Sequence, residues 1–474
     1  MTAPTDNTAP ARGSFTHRFD PGILRAYDIR GEIGTTLREE DCYAVGRAFG
    51  TVVARGGGRS VALGFDGRET SPAFADAVID GLLKTGLDVH CVGLGPSPMV
   101  YFGLHHLKAD ASVVVTGSHS PVTHNGIKMA LAGRPFYGAD VQKLGVMAAA
   151  GDLDSGSGTR HNHDIYEAYT DRLVRDYDCD AELSVAWDIG NGAGGAIIQM
   201  LTEKLPGKHT ILFGDVDGTF PNHHPDPTVA KNLVDLQNAV RKNGCDAGIG
   251  FDGDADRIGA VYENGEILWA DILLALYAAE VLETHPGAHV IADVKCSRVL
   301  FDEIARLGGK PVMWQTGHSV IKAKMKELNA PLAGELAGHI CFADKFYGFD
   351  DGPYCAVRLL NLIGKSGKKF SELTAHLPQM HNTPEMRFHV PEERKFEIPQ
   401  EILRRLQNEK KDGWEICDID GIRLTAPEGW FLLRASNTES VLTARVESFD
   451  AEGLEMLQSV LAKYLAAAGA ELPV

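Results

Sequence analysis

At 474 residues, with 44% apolar and 23% charged side chains, the chain is too long for one ordinary core and too apolar to be disordered, so several folded domains are expected. A formal net charge of −18 argues against nucleic acid or an anionic membrane as the main partner, because both reward clustered Lys and Arg. No apolar run is long enough to span a bilayer. The eight cysteines (42, 91, 179, 245, 296, 341, 355 and 417) never adopt Cys-x-x-Cys spacing, which predicts reduced, mostly buried thiols in a cytoplasmic protein.

Residues 1–16, rich in Thr, Ala and Pro and without an apolar segment, are expected to be a disordered tail and not a signal peptide. Three segments then repeat one pattern. Val61 to Phe65 is an apolar run ending at Asp66, followed by a helical stretch, Ala73 to Leu83, and a second run, Val89 to Val92. The order returns in Ser184 to Asp188, Ile197 to Leu201 and Thr210 to Phe213, and again in His289 to Asp293, Leu300 to Leu307 and Pro311 to Met313. Strand, loop, helix, strand is the βαβ unit, which builds mostly parallel sheets.

The predicted fold is therefore α/β, with three related domains in tandem at 17–160, 161–264 and 265–379. Junctions are expected at Gly151 to Gly158, near Asn264-Gly265, and around Leu377 to Pro384. The segment 380–474 differs, with short strand-like runs at 387–390, 414–416, 422–424, 430–433 and 441–446 and a final helix from Ala451 through Leu465. These predict a smaller α+β domain with an antiparallel sheet. Ligands of open α/β sheets bind outside the carboxyl ends of the strands, so the loops are expected to surround a central active-site cleft.

Two loops carry the chemistry. Thr116-Gly117-Ser118-His119-Ser120-Pro121 follows the apolar run Val113 to Val115 and offers a serine as nucleophile, although an ordinary strand-to-helix turn is the bland alternative. In Gly250-Phe251-Asp252-Gly253-Asp254-Ala255-Asp256-Arg257 three carboxylates alternate with small residues, a hard-cation site. An EF-hand competes there, since Asp252, Asp254, Asp256 and Glu263 hold its positions one, three, five and twelve. Arg257 at the glycine position and strand-like flanks oppose it, and a solvated acidic turn is the remaining alternative. The histidines of His161-Asn162-His163 and His223-His224 are read as polar loop residues.

The serine loop and the aspartate loop resemble the phosphoserine loop and metal loop of the phosphohexomutases, of the phosphomannomutase/phosphoglucomutase type in the α-D-phosphohexomutase superfamily. Gly334-Glu335-Leu336-Ala337-Gly338-His339 is similar to that family's sugar loop, with Ala337 where serine is usual. Arg434-Ala435-Ser436-Asn437-Thr438-Glu439 is similar to its phosphate loop, with Ser440 in place of proline. Arg25 to Gly31, Asp293-Val294-Lys295, Thr316-Gly317-His318-Ser319 and Gly348 to Gly352 also match, in the family's order. Ser120 departs from the asparagine usual after the Ser-His pair.

The resemblance implies an enzyme that interconverts mannose 1- and 6-phosphate and glucose 1- and 6-phosphate, an intramolecular phosphotransferase of the isomerase class. Its phosphorylated serine, Ser118, would pass through a hexose 1,6-bisphosphate, which also serves as activator. It implies Mg²⁺ on Ser118, Asp252, Asp254 and Asp256. Lys128 and His339, with His318 and Arg30, would move protons, and Arg257 would neutralise the transferring phosphoryl group. Tyr27, Lys295, Glu335, Gly338, Arg434, Ser436, Asn437 and Thr438 would bind substrate.

Partners are then small hexose phosphates, with no nucleic acid and no membrane, and the chain a monomer or weak homo-oligomer. The last domain is expected to act as a lid that excludes water, and its removal after Glu385 to leave a folded, metal-binding remainder. Phosphoglucosamine mutase is the sister alternative, and a phosphatase or a calcium-binding protein the more distant ones.

Overall fold

The computed structural model describes residues 15–409, 411–436 and 441–473. The chain divides into two compact units: one runs to Ile258 and includes Asp351–Asn361, and the other comprises Gly259–Asp350 and Leu362–Val474.

The first unit holds strands β1 (Ile29–Glu32), β2 (Ser60–Phe65), β3 (Asp88–Leu94), β4 (Ala111–Val115), β5 (His124–Leu131), β6 (Arg134–Pro135) and β7 (Arg160–Asn162). They form one sheet in the order β1-β5-β4-β2-β3-β7, with β6 on β5. β4, β2, β3 and β7 run parallel, while β5 is antiparallel to both neighbours. Every residue of β4 is buried, the mark of a strand covered on both faces. The helices Glu39–Arg55, Ser71–Leu83 and Ala139–Ala150 contribute Phe49, Val78, Leu82 and Leu144 to a core shared with Leu63, Val113 and Ile127.

Two features differ from expectation here. Ser118 lies in the loop between β4 and the antiparallel β5, so the bland strand-to-helix turn is not what forms. His161 and Asn162, read with His163 as polar loop residues, join Arg160 in strand β7 on the edge of the sheet.

A second parallel arrangement in this unit sets β8 (Ser184–Asp188) between β9 (Lys208–Leu212) and β10 (Ala247–Phe251). The start of the helix Gly352–Ser366 joins the same unit. Tyr169 Oη donates to Asp351 (2.8 Å), Tyr354 Oη to Asp176 (2.7 Å), and the Asp178 amide to Asn361 (3.0 Å).

In the second unit, β11 (Ile258–Tyr262) and β12 (Ile267–Leu268) form a hairpin turned at Asn264-Gly265, where Gly265 has φ 84°. The next sheet is β14 (Lys310–Trp314), β13 (His289–Asp293), β15 (Leu332–Gly334) and β16 (Ile340–Phe342), parallel except for β16. The last sheet runs β17 (His381–Asn382), β22 (Val441–Ser448), β21 (Gly429–Ala435), β20 (Ile422–Ala426) and β19 (Glu415–Cys417), with β18 (Met386–His389) also on β22. Among the described residues its strands pair antiparallel throughout.

Helix Ala451–Ala467 and an unanticipated helix, Glu397–Glu409, pack on that sheet. The second was legible in the helical spacing of Ile398, Ile402, Leu403 and Leu406, all buried.

Candidate active site and recognition loops

The serine loop is built from the strand beside it. Asp66, just past β2, accepts from the Arg68 amide (3.0 Å), Ser71 Oγ (2.5 Å), Thr116 Oγ1 (2.8 Å) and the Gly117 amide (3.0 Å). Arg68 grips the loop's carbonyls: Nη2 donates to Ser118 (2.9 Å) and Ser120 (2.6 Å), Nη1 to Pro121 (2.8 Å) and His124 (2.9 Å). A Cβ on Gly117 would lie 2.2 Å from Arg68 Nε, so no side chain fits there. Held this way, Ser118 adopts φ 47°, a left-handed conformation that a non-glycine residue takes only when its surroundings impose it.

The aspartate loop meets this serine within the same unit. Ser118 Oγ donates to Asp252 Oδ2 at 2.8 Å. A Cβ on Gly253 would sit 2.5 Å from the Ser118 carbonyl oxygen, which explains the glycine between the first two carboxylates. Lys128, on β5, donates to Asp254 Oδ2 (2.7 Å) and Asp256 Oδ2 (2.5 Å), and Ser97 Oγ also bonds Asp254.

All three aspartates are fully buried. Burial, reinforced by Asp254 and Asp256, pushes the Asp252 carboxyl well up. Burial would raise Asp254 too, but Lys128 outweighs it and holds that carboxyl low. Burial opposes charge on Lys128, yet the two aspartates prevail and keep it an ammonium.

This cluster fits a hard divalent cation. One oxygen from each aspartate lies within 4.8 Å of the others, Asp254 Oδ1 is buried with no hydrogen bond, and the donors are all oxygen. The flanking elements are strands β10 and β11, and Glu263 accepts from Ser371 N and Oγ at 3.0 and 2.5 Å, so the EF-hand is not formed.

Arg257 donates its amide to Asp252 Oδ1 (3.2 Å), and its Nε lies 3.8 Å from Asp252 Oδ2. His119 Nδ1 is 3.1 Å from Ser118 Oγ. Arg30 donates to Ser120 Oγ (2.8 Å) and Asp28 (2.6 Å), so the departing Ser120 has a partner. Tyr27 is half-buried in the turn closed by Arg25 N to Asp28 O (3.0 Å).

In the second unit Asp293, ending β13, repeats the part Asp66 plays. It accepts from the Leu336 amide (3.1 Å), Thr316 Oγ1 (3.1 Å) and Cys296 Sγ (3.0 Å). Glu335 Oε1 accepts from the Gly317 amide at 2.6 Å, and burial pushes its carboxyl up. The turn closes through Gly338 N to Glu335 O, 3.0 Å.

His318 and His339 stack at 5.2 Å with Nδ1 atoms 3.4 and 3.0 Å from Asp350 Oδ2, while Lys322 holds Asp350 Oδ1 at 2.7 Å. Burial, with Lys322, pushes the His318 imidazole down to about 4. Lys295 Nζ lies 3.9 Å from both Asp293 and Glu385. Arg434 pairs with Asp420 at 3.1 Å, and the Ser436 amide donates to Val441 O at 2.9 Å. Asn437 and Thr438 lie outside the described residues.

The structure thus gathers Arg30, Ser118, Lys128, Asp252, Asp254, Asp256 and Arg257 in one unit. In the other, His318, Glu335 and His339 share the Asp293 and Asp350 anchors. Sequence reasoning missed Arg68, Ser97 and Lys322 as supporting groups, and had Asp350 only as part of the matching run Gly348 to Gly352. The strand-terminal aspartates were visible as a repeat, but not what they hold.

Four family models match along the chain: phosphoglucomutase/phosphomannomutase α/β/α domain I at 22–150, domain II at 167–265, domain III at 269–381 and the C-terminal domain at 385–463. The chain belongs to the phosphoglucomutase/phosphomannomutase family, and it is an enzyme of the phosphohexomutase class. A phosphomannomutase/phosphoglucomutase of Pseudomonas aeruginosa is 41% identical over 95% of this chain and 97% of its own. A phosphoglucomutase of Neisseria gonorrhoeae is 39% identical over 92% and 95%. The crystal structure of a phosphoglucomutase/phosphomannomutase family protein from Burkholderia thailandensis superposes with TM-score 0.90 at 39% identity, covering 96% of this chain and 100% of that one. Among the described residues no helix is long and apolar enough to cross a membrane.

Proposed function

We propose that this phosphohexomutase interconverts mannose 1-phosphate with mannose 6-phosphate and glucose 1-phosphate with glucose 6-phosphate, with Ser118 as the phosphoryl carrier in the cytoplasm. The observation that supports this reading best is the buried contact of Ser118 Oγ with Asp252, 2.8 Å, beside two further aspartates neutralised by Lys128. Such a hydroxyl is placed to carry phosphate against a cation site.

Asp252, Asp254 and Asp256, with an oxygen of the phosphorylated Ser118, would hold Mg²⁺. When bound, that ion supplies charge neutralisation at the phosphoryl oxygens. Phosphoserine 118 gives its phosphoryl group to the free hydroxyl of a hexose monophosphate. The P–Oγ bond breaks as the sugar O–P bond forms, and the sugar hydroxyl loses its proton. The product is a hexose 1,6-bisphosphate, which turns around and returns its other phosphate to Ser118.

Lys128, hydrogen-bonded to two carboxylates, acts here as a fixed cation, and Arg257 neutralises the moving phosphoryl group. His318 and His339 exchange protons with the sugar, with Arg30 assisting. Glu335 accepts from sugar hydroxyls shared by glucose and mannose, with Lys295, Gly338 and Tyr27 completing the contacts. Arg434, Ser436, Asn437 and Thr438 bind the phosphate that is not transferred. The roles divide along the chain as 17–160 for the carrier serine, 161–264 for the metal, 265–379 for the sugar and 380–474 for the fixed phosphate.

The test is isomer formation from mannose 1-phosphate, glucose 1-phosphate and glucosamine 1-phosphate with Mg²⁺ and a trace of glucose 1,6-bisphosphate, comparing wild type with Ser118→Ala. Turnover of the first two by wild type alone is the expected result. Preference for glucosamine 1-phosphate, release of free phosphate only, or an active Ser118→Ala enzyme would each overturn the reading.

A further inference from the structure

Away from the aspartate cluster, the first sheet ends in a group of three histidines that no step of the mutase reaction uses. After the helix Ala139–Ala150 the chain returns along the sheet edge, fixed by backbone bonds from Gly156 to Lys84 (2.8 Å), Gly158 to Leu83 (2.9 Å) and His163 to Cys91 (2.8 Å). This docking makes β7 parallel to β3 and sets His161 directly opposite His90. Directly paired residues of adjacent strands present their side chains on one face, and His163, two residues beyond His161, adds a third imidazole.

The rings are close. His90 Nδ1 lies 2.9 Å from His163 Nε2. Ring centroids are 5.0 Å apart for His90 and His163, 5.5 Å for His90 and His161, and 6.5 Å for His161 and His163. Imidazole nitrogens bind zinc at about 2.0–2.1 Å, so two of them on a tetrahedral ion stand about 3.3 Å apart, with ring centroids about 5 Å apart. His90 Nδ1 and His163 Nε2 share a hydrogen bond; to hold one ion the donor ring would change tautomer, and the two nitrogens would move a few tenths of an ångström apart and turn their lone pairs to a common point. His161 is exposed at the edge strand, and its ring would have to swing toward the other two to join them.

We propose that His90, His161 and His163 form a binding site for a borderline divalent cation, Zn²⁺ above all, which clamps edge strand β7 to β3. Its all-nitrogen donors distinguish it from the all-oxygen aspartate cluster, which suits Mg²⁺. The fourth position is left to water. The clamp would fasten the stretch of chain that leads from the first sheet to the second, where an uncovered edge strand is otherwise the weakest part of a sheet.

The experiment uses the full, tag-free chain with Mg²⁺ in large excess and titrates Zn²⁺ against a chromogenic zinc chelator. Wild type is expected to hold one equivalent that Mg²⁺ does not displace. Affinity should fall at least tenfold in His90→Ala and in His163→Ala and several-fold in His161→Ala, with mutase turnover in Mg²⁺ unchanged. Zn²⁺ should also slow amide exchange of residues 159–163 in wild type and not in the variants. As a check that needs no variant, Co²⁺ in place of Zn²⁺ should give the intense visible absorption of a tetrahedral nitrogen-ligated ion. Zinc binding that is identical in all variants, no equivalent beyond what Mg²⁺ displaces, or a purely octahedral Co²⁺ spectrum would each overturn the site.

Discussion

The guanidinium of Arg68 donates to the carbonyl oxygen of Ser118 at 2.9 Å, so the residue that orients the candidate phosphate carrier does so through its backbone. The same Nη2 holds Ser120, and Nη1 holds Pro121 and His124. Arg68 is buried and its pKa is moved down by burial; four carbonyl acceptors take its Nη hydrogens, and Asp66 Oδ2 lies 3.5 Å from its Nε.

Arg68→Lys keeps a charge but cannot span four acceptors with one ammonium. Each lost bond to a charged donor is worth about 1.5–3 kcal/mol. The variant should lose about 3 kcal/mol of stability in urea unfolding. Its kcat should drop ten- to a hundred-fold with KM for hexose phosphate nearly unchanged, because Arg68 sets the serine's position and leaves the sugar loops alone. A variant that lost KM and kept kcat would contradict this.

Lys128 carries a second prediction. Its ammonium is the counter-charge for Asp254 and Asp256, and leaving buried carboxylates without a partner costs about 3–5 kcal/mol. Lys128→Met should therefore be markedly less stable without metal and partly rescued by millimolar Mg²⁺, which supplies positive charge to the same carboxylates. Chelation of metal from wild type should abolish turnover and leave the fold intact, and Mg²⁺ should restore it. Thermal unfolding with and without chelator, alongside turnover, measures both effects.

Much of this was legible in the sequence, for definite reasons. β2, β8 and β13 announce themselves because a buried parallel strand must be a short continuous apolar run, and each ends at an aspartate that later proves to organise a loop. The Ser118 and aspartate loops were legible because three alternating carboxylates after a buried strand have few other uses. Arg68 was not: a lone arginine beside a strand reads as surface, and only the fold folds it under the serine loop. β7 was missed because a three-residue edge strand with polar side chains has no hydrophobic period, and its partner His90 lies 71 residues earlier in the sequence, before His161.

The expected lid domain needs revision on one point. Arg423 stacks on the Trp430 indole at 3.7 Å and donates to the carbonyls of Val294 (2.6 Å) and Cys296 (2.7 Å), while Arg445 takes that of Lys295 (2.8 Å). Glu447 accepts from Trp430 Nε1 (2.7 Å), Ser297 Oγ (2.8 Å) and the Arg298 amide (3.1 Å). The last sheet thus holds three successive carbonyls of the loop that carries Lys295.

Removing residues after Glu385 would leave those groups without their partners, so the truncated chain should aggregate or unfold in the segment 259–380 instead of remaining fully folded. In the full chain, Arg423→Met should raise KM for hexose phosphate several-fold by loosening the Lys295 loop and lower the melting temperature by several degrees. Limited proteolysis of the truncation and steady-state kinetics of the variant test the two halves.

The buried pair of His318 and Asp350 sets a pH limit. The His318 imidazole is pushed from an ordinary 6.5 down to about 4, first by burial and then by Lys322. Burial would raise Asp350, but Lys322 and the imidazoles hold its carboxyl well below the ordinary range. Between pH 6.5 and 4 the unfolded chain takes up a proton at His318 that the folded chain refuses, so stability rises with pH across that window and falls as acid is added. For His318 alone the loss from pH 7 to pH 4 is on the order of 3 kcal/mol, and Asp350 adds to it in the same direction at the acid end. His318→Asn, which cannot be protonated, should flatten the dependence between pH 6.5 and 4 while leaving stability at pH 7.5 within about 1 kcal/mol. Urea unfolding at half-unit steps of pH, wild type against variant, decides it: parallel curves across that window would mean that His318 is not the group refusing the proton.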